Sequence, residues 1–392
     1  MNMKKILKYT LLAACVLALS ACQEKLPEPA WEPEQTSEAI GFSTGVVGTK
    51  GLIENTEANP DALAKNATRI KVYDYLTGGT DNTTVKYIDD VIKGTDGNNT
   101  TVTTVDGVEK VNYAPWSYEN ATTHYYWTKT GTHKFFGYLT VDPEGTAFND
   151  ASMNTAALPT TLTVSGINFT KDTPQVDFLY SNIVTRNAAT DSHDPIALQM
   201  EHLFTALSVE VSNQTGEVIT ELAVSFTNIQ NQRGATVNYS AAAAAATAAD
   251  VAIAATYGTG SKAVYAFGGD VTSIPVPEGA SYSSPTTATE TFIPLYSNTE
   301  AKPSNEFRLL WPQDNLQKEG EVAMVQVSCK IGGDASNFLP VAFPSGFSKM
   351  EAGKKYLLQI TINPIAVYFK IVVDPLVEYY YSDNYTDYLI KF

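Results

Sequence analysis

Cysteine is nearly absent. Of three in 392 residues, Cys15 and Cys22 belong to an apolar N-terminal run, and only Cys329 lies in the body of the chain. A single body thiol excludes an intrachain disulfide framework. Within the alternating run AMVQVSCKI, Cys329 reads as a buried, inert thiol. Histidine is as scarce. His124, His133, His193 and His202 are scattered, with none at metal-ligand spacing from another. A polar loop accounts for His193 between its carboxylates, and His202 sits in an apolar strand as a core histidine. Basic residues are few, 26 against 42 acidic ones, for a net charge of −16. That excludes nucleic acid, whose phosphates require a basic surface, and disfavours docking onto anionic lipid. There is no G-x-S-x-G elbow, no P-loop and no G-x-G-x-x-G. Asp89 and Asp90 are adjacent, so on a strand they face opposite ways and cannot share a substrate. The expectation is a protein that is not an enzyme and carries no cofactor and no metal.

What is present begins with MNMKKILKYTLLAACVLALSAC. Three lysines, a short apolar core and small residues before a cut describe a signal peptide over 1–21. The run is too short for a membrane span, which takes roughly 20 apolar residues. Leu19-Ser20-Ala21-Cys22 matches a bacterial lipobox, in which Cys22 is acylated and anchors the chain to a membrane. Several acyl chains hold at about 0.8 kcal/mol per buried CH₂. Residues 22–38, with five glutamates and three prolines, cannot bury enough apolar surface to order themselves and read as an acidic tether.

The rest reads as β-structure. Alternating runs such as RIKVYDYL, TTVKYI, LSVEVSN, ELAVSFTNI, KYLLQITIN and AVYFKIVVD are punctuated by Gly, Asn, Asp and Pro, a pattern of sandwiches rather than βαβ units. WTKTGTHKFF suggests a hairpin around Gly131. The alanine-rich stretch 240–255 suggests a short surface helix or an insertion. The polar segment 185–195 marks a domain boundary, giving domains over 39–190 and 191–392. Trp116, Trp127 and Trp311 are more commonly core residues than a sugar-stacking platform.

Several segments together resemble the fimbrillin family of Bacteroidetes, the subunits of type V pili. They are the lipobox ending at Cys22, QVDFLYSNIV (175–184) with PIALQMEHLFTALSVEV (195–211) after it, ELAVSFTNIQNQRG (221–234) and FPSGFSKMEAGKKYLLQITIN (343–363). HLFTALS is longer between its histidine and alanine than the family's usual form. The resemblance implies an all-β fold of two tandem transthyretin-like Greek-key β-sandwich domains. It also implies export as a surface-exposed outer-membrane lipoprotein. A trypsin-like maturation protease then removes the lipid with the first strand, and a C-terminal strand of a neighbouring subunit fills the groove. Other fimbrial subunits and a host or bacterial surface receptor are the partners it implies.

The residues permit this scheme. In AIGFSTGVV, a strand over 39–47 places Ile40, Phe42, Thr44 and Val46 on one face, and each large apolar side chain buried there contributes roughly 1.5–3 kcal/mol. Stripping it leaves unpaired backbone groups that a replacement strand satisfies. At the far end, within 366–392, Val367, Phe369, Ile371 and Val373 form one candidate donor strand, and Tyr388, Ile390 and Phe392 a second. Residues 366–373 could equally close their own domain's sheet. Lys50 stands where the family's cut arginine falls, with Arg69, the first arginine, as the alternative. The competing readings are a tip or anchor fimbrial subunit, and a glycan-binding lipoprotein of a polysaccharide-uptake system. The latter needs an exposed aromatic platform, with Trp116 or Trp311 at its centre.

Overall fold

The computed structural model describes residues 32–46, 63–79, 82–95, 100–105, 108–113, 116–143, 145–154, 161–169, 176–239, 250–268, 293–294, 308–343, 346–363 and 367–374. Among them the regular elements are strands, arranged in several sheets. The alternating runs become the longest of these: RIKVYDYL lies in Arg69–Gly78, ELAVSFTNI in Ile219–Gln232 and KYLLQITIN in Lys355–Ile362.

A nine-stranded sheet dominates the first half. Its main path runs Phe42–Val46, Ile196–His202, Leu179–Ser181, Thr132–Val141, Arg69–Gly78, Thr83–Gly94, Trp116–Tyr118. The two ends of this path come together, so the sheet curls into a near-barrel. Side chains, rather than a ladder, bridge the closure. The Trp116 indole N–H donates to Thr44 Oγ1 at 3.2 Å, and the Tyr118 hydroxyl donates to the Ile40 carbonyl at 3.1 Å. Inside lie Ile70, Val72, Ile88, Phe135, Leu139 and Leu198, all fully or nearly fully buried.

The opposite face of the same strands is also covered. Tyr73, Tyr75, Phe136 and Tyr138 point away from the barrel interior and join a second core that continues to Ile371. With both faces covered, consecutive residues of these strands are buried, as over Val72–Leu76. At Gly137 the backbone of Thr132–Val141 approaches its neighbour closely: a Cβ there would lie 2.6 Å from the Lys71 carbonyl. A four-stranded sheet (Ala151–Asn154, Thr161–Val164, Ala235–Asn238, Ala255–Tyr257) adds to the second core, with Tyr239 stacked on Phe136 at 4.3 Å. Two five-stranded sheets complete it. One holds Thr205–Asn213 parallel to Lys355–Ile362, with Val367–Asp374 antiparallel on its edge. The other is built on Ile219–Gln232 and Met324–Ile331.

The structure differs from the sequence reading in four places. The polar segment 185–195, expected to be a domain boundary, joins two strands of one sheet, since Ile196–His202 still pairs with Leu179–Ser181. Sheet membership changes instead at Leu203 and Phe204, two buried residues between His202 and Thr205. The tether does not extend to Glu38, because Gln35–Ala39 is a strand paired with Tyr126–Thr128. The turn at Gly131 (φ 109°) exists, yet the strands flanking it share no ladder, because Tyr126–Thr128 takes Gln35–Ala39 as partner. Of the alanine-rich stretch, 240–249 lie outside the described residues, and its remainder enters short strands, Asp250–Val251 and Ala255–Tyr257.

Candidate functional site

The region of interest is the seat of the N-terminal segment. The single strand expected over 39–47 is two strands that switch partners at Ile40 and Gly41. Up to Ile40 the chain bonds to 125–128, and the Ile40 N–H donates to the Tyr125 carbonyl at 2.8 Å. From Gly41 onward it bonds to the Ile196–His202 strand, in a parallel ladder of five residue pairs from Ile196↔Phe42 to Met200↔Val46. Ile40 and Phe42 plug into the near-barrel core at 1% and 3% exposure. Phe42 meets Tyr118 and Phe135 edge-to-face at 6.2 and 6.1 Å.

Outside the barrel, three polar side chains of the segment find partners. Glu34 pairs with Lys129 Nζ at 2.8 Å, and that ammonium lowers its carboxyl below the usual range. The Gln35 amide donates to the Tyr87 hydroxyl at 2.8 Å, which in turn donates to the Tyr126 carbonyl. Glu38 pairs with His193 Nδ1, while His193 Nε2–H donates to the Ala188 carbonyl at 3.0 Å. Because a carboxylate and a carbonyl both only accept, the two bonds together favour the imidazolium over the neutral ring. Partial burial pulls its pKa down, but these two bonds outweigh that and raise it above 6.5. Its ring stacks face-to-face on buried Trp127, 4.6 Å away and 8° from parallel.

Beneath Trp127 lies an array that sequence spacing could not show. Asp74 Oδ2 meets His133 Nδ1 at 2.5 Å, His133 Nε2 meets Thr128 Oγ1 at 2.9 Å, and the Thr128 hydroxyl donates to the Thr130 carbonyl. The order carboxylate, imidazole, hydroxyl is that of a catalytic triad. All three residues are fully buried, so no substrate reaches them, and the array braces the fold. Burial pushes the Asp74 carboxyl up against the pull of His133. His202 is likewise a core histidine, bonded to Asp177 at 2.7 Å. Residues 41–45, GFSTG, satisfy the letters of G-x-S-x-G, but Ser43 lies within a strand and not on a strand-to-helix elbow. Asp89 is taken by Lys71 and Lys86, and Asp90 faces the Tyr125 hydroxyl. Among the described residues, no three His, Cys, Asp or Glu side chains cluster to hold a metal.

A family model described as fimbrillin-like matches residues 56–377. The chain belongs to the fimbrillin-like family. The family is one of fimbrial and adhesin proteins of Bacteroidetes. Solved structures similar to this family member include a fimbrial protein from Bacteroides vulgatus, 12% identical, with TM-score 0.47 and coverage of 86% of this chain and 99% of that one. A proposed cell adhesion protein from Bacteroides uniformis is 12% identical, with TM-score 0.45 and coverage of 87% and 99%. A fimbrial assembly protein from Parabacteroides distasonis is 11% identical, with TM-score 0.36 and coverage of 86% and 96%. No curated protein matches the chain.

Cys22, Lys50, Tyr388, Ile390 and Phe392 lie outside the described residues. Arg69 opens a central strand, backbone-paired to Lys93 on one side and Val141 on the other. Its guanidinium is held by Glu119 at 2.7 Å and by the Thr68 carbonyl at 3.0 Å. Val367–Asp374 forms an eight-pair antiparallel ladder with Lys355–Ile362, and Val367 and Ile371 are buried in the second core. Trp116, Trp127 and Trp311 are all buried, so the aromatic platform required by a glycan-binding reading is not built from Trp116 or Trp311.

Proposed function

We propose that this chain is a structural subunit of a cell-surface fimbria supporting adhesion, exported as an outer-membrane lipoprotein through Cys22 and assembled by strand replacement. On this reading it has two tandem transthyretin-like Greek-key sandwich domains. A trypsin-like protease cuts after Lys50, releasing lipid, tether and the N-terminal segment together.

The observation that supports this best is how that segment is held. It forms two short ladders, one antiparallel to Tyr126–Thr128 and one parallel to Ile196–His202, and plugs Ile40 and Phe42 into the near-barrel core. Removing it opens an apolar groove between Ile196–His202 and Trp116–Tyr118 and leaves unpaired backbone groups along Ile196–His202 and Tyr126–Thr128. Arg69 is the poorer cut site, because a protease would have to extract a central strand paired on both sides.

Limited trypsin treatment of the purified precursor, with N-terminal sequencing and electron microscopy, tests the proposal. The expected result is a new N-terminus at Gly51 and SDS-resistant ladders. Retention of residues 32–46, or a trimmed protein that stays monomeric, overturns the shaft-subunit reading.

A further inference from the structure

The Ile219–Gln232 strand becomes irregular at its far end. It is laddered to Met324–Ile331 only as far as Thr227, which stands opposite Met324. Beyond that point the buried Gln313 side chain takes the partner's place. Its Oε1 accepts from the Gln230 N–H at 2.9 Å, and its Nε2–H donates to the Gln230 carbonyl at 3.0 Å. On the other edge the strand pairs with Ser261–Gly268, and the register shifts between Phe226 and Ile229 and again between Gln230 and Gln232. Each shift is a bulge with one extra residue on Ile219–Gln232. Asn228, inside the first, has φ 59°, a left-handed conformation uncommon outside glycine. Bulges of this kind re-aim side chains and are over-represented beside functional sites. Here Asn228, Gln230 and Lys262 line a cleft of about 450 Å³, with Asp314, Asn315 and Glu321 across it. None of its lining residues carries an apolar side chain.

The charges of the cleft are already matched. Glu321 bonds to Lys262 at 2.9 Å and to Lys318 at 3.1 Å, and the two ammonium groups hold its carboxyl below the usual range. Asp314 pairs with Arg233, whose buried guanidinium also donates to the Gly258 and Pro312 carbonyls at 2.6 and 2.7 Å. What remains unmet is neutral. Gln230 Oε1 has no partner, and the exposed Asn315 amide and Thr259 hydroxyl make no hydrogen bond among the described residues.

We propose that this cleft binds one ring of a neutral saccharide. The volume lies within the roughly 300–1,000 Å³ of small-molecule sites, but the lining lacks the apolar side chains that most small ligands need. A hydroxyl both donates and accepts, so a polyhydroxylated ring matches a wall that mixes carboxylates, amides and ammonium groups. Its hydroxyls donate to Asp314 and, as the terminal amide turns about a soft torsion, to Gln230 Oε1. They accept from the Asn315 amide and from Lys262. An anion would have to displace Glu321 from both lysines, and a metal ion would face those same lysines. No aromatic face stacks on the ring, so a single site binds weakly, and many copies on one fimbria multiply the affinity. The inference gives the adhesion part of the proposed function a ligand class and rests on no step of strand replacement.

Saturation-transfer NMR on the untrimmed full chain tests this, with the methyl glycosides of glucose, galactose, mannose, fucose and N-acetylglucosamine as probes. At least one is expected to bind. Asn315→Ala is expected to weaken it about 5-fold, and Thr259→Trp, which fills the cleft, to abolish it. Neither side chain bonds to the protein, so both variants are expected to melt with the wild type. Galacturonate and calcium chloride serve as the anionic and metal probes. The inference is overturned if no neutral glycoside binds, if binding survives Thr259→Trp, or if galacturonate or calcium binds in preference to every neutral probe. Because the chain is untrimmed, any of these results leaves strand replacement standing, and a trimmed chain that stays monomeric leaves the cleft untouched.

Discussion

At the residue scale, the buried pair of Asp74 and His133 shows how a fold spends polar groups. The two lie fifty-nine residues apart in sequence and meet at zero exposure. Such a pair adds little over a well-packed apolar substitute, but losing one partner strands the other. His133→Phe alone is therefore expected to cost about 3 kcal/mol by urea unfolding, and His133→Phe with Asp74→Leu to recover most of it. His193 acts differently, because it titrates. Its folded pKa lies above 6.5, so its hold on Glu38 is complete below the ordinary imidazole value and fades as pH rises through the folded value. Release of the N-terminal segment by trypsin, corrected for the protease's own pH profile, should speed up over that rise. In His193→Gln the dependence should vanish. Cys329 is inert for a plain reason: burial pushes its thiol up to about 11.

At the element scale, the Phe42–Val46 strand is held by its plug more than by its ladder. Phe42→Ala removes both edge-to-face contacts and a buried ring, a change expected to cost about 3 kcal/mol. The loss should appear as faster exchange of the Ile40 amide, with exchange in Arg69–Gly78 little altered. The neighbouring element, Gln35–Ala39, was not legible in the sequence because QTSEA carries no apolar alternation. Its seat is made of backbone bonds and ionic side chains contributed by residues 87 to 193. By contrast, Arg69–Gly78 and Lys355–Ile362 were legible at once, since period-two patterning is what half-buried strands require.

At the scale of the whole molecule, the second core unites the two halves. It holds the outer face of the near-barrel, through Tyr73, Phe136 and Tyr180, and the interior of the later sheets, through Val209, Phe226 and Ile360. Two sets of sheets sharing one core should unfold together. Calorimetry of the trimmed chain is expected to show a single transition, and two separated ones would show that the halves melt independently. The same continuity hid the change of sheet from the sequence. A boundary is sought in polar segments, and 185–195 is polar, but the crossing at Leu203 and Phe204 runs through buried residues.

The sequence by itself determined that the chain is β-rich, acidic and without a disulfide framework, and its ordered motifs already resembled the family. Composition and alternation are local properties, and each strand carries its own. Only the tertiary structure decided which strands are neighbours, and thus that the N-terminal segment divides its bonds between two partners. It also decided that the three body tryptophans are core, and that His193 and Lys129 face Glu38 and Glu34. Those facts depend on contacts between residues far apart in the chain, which no local pattern records.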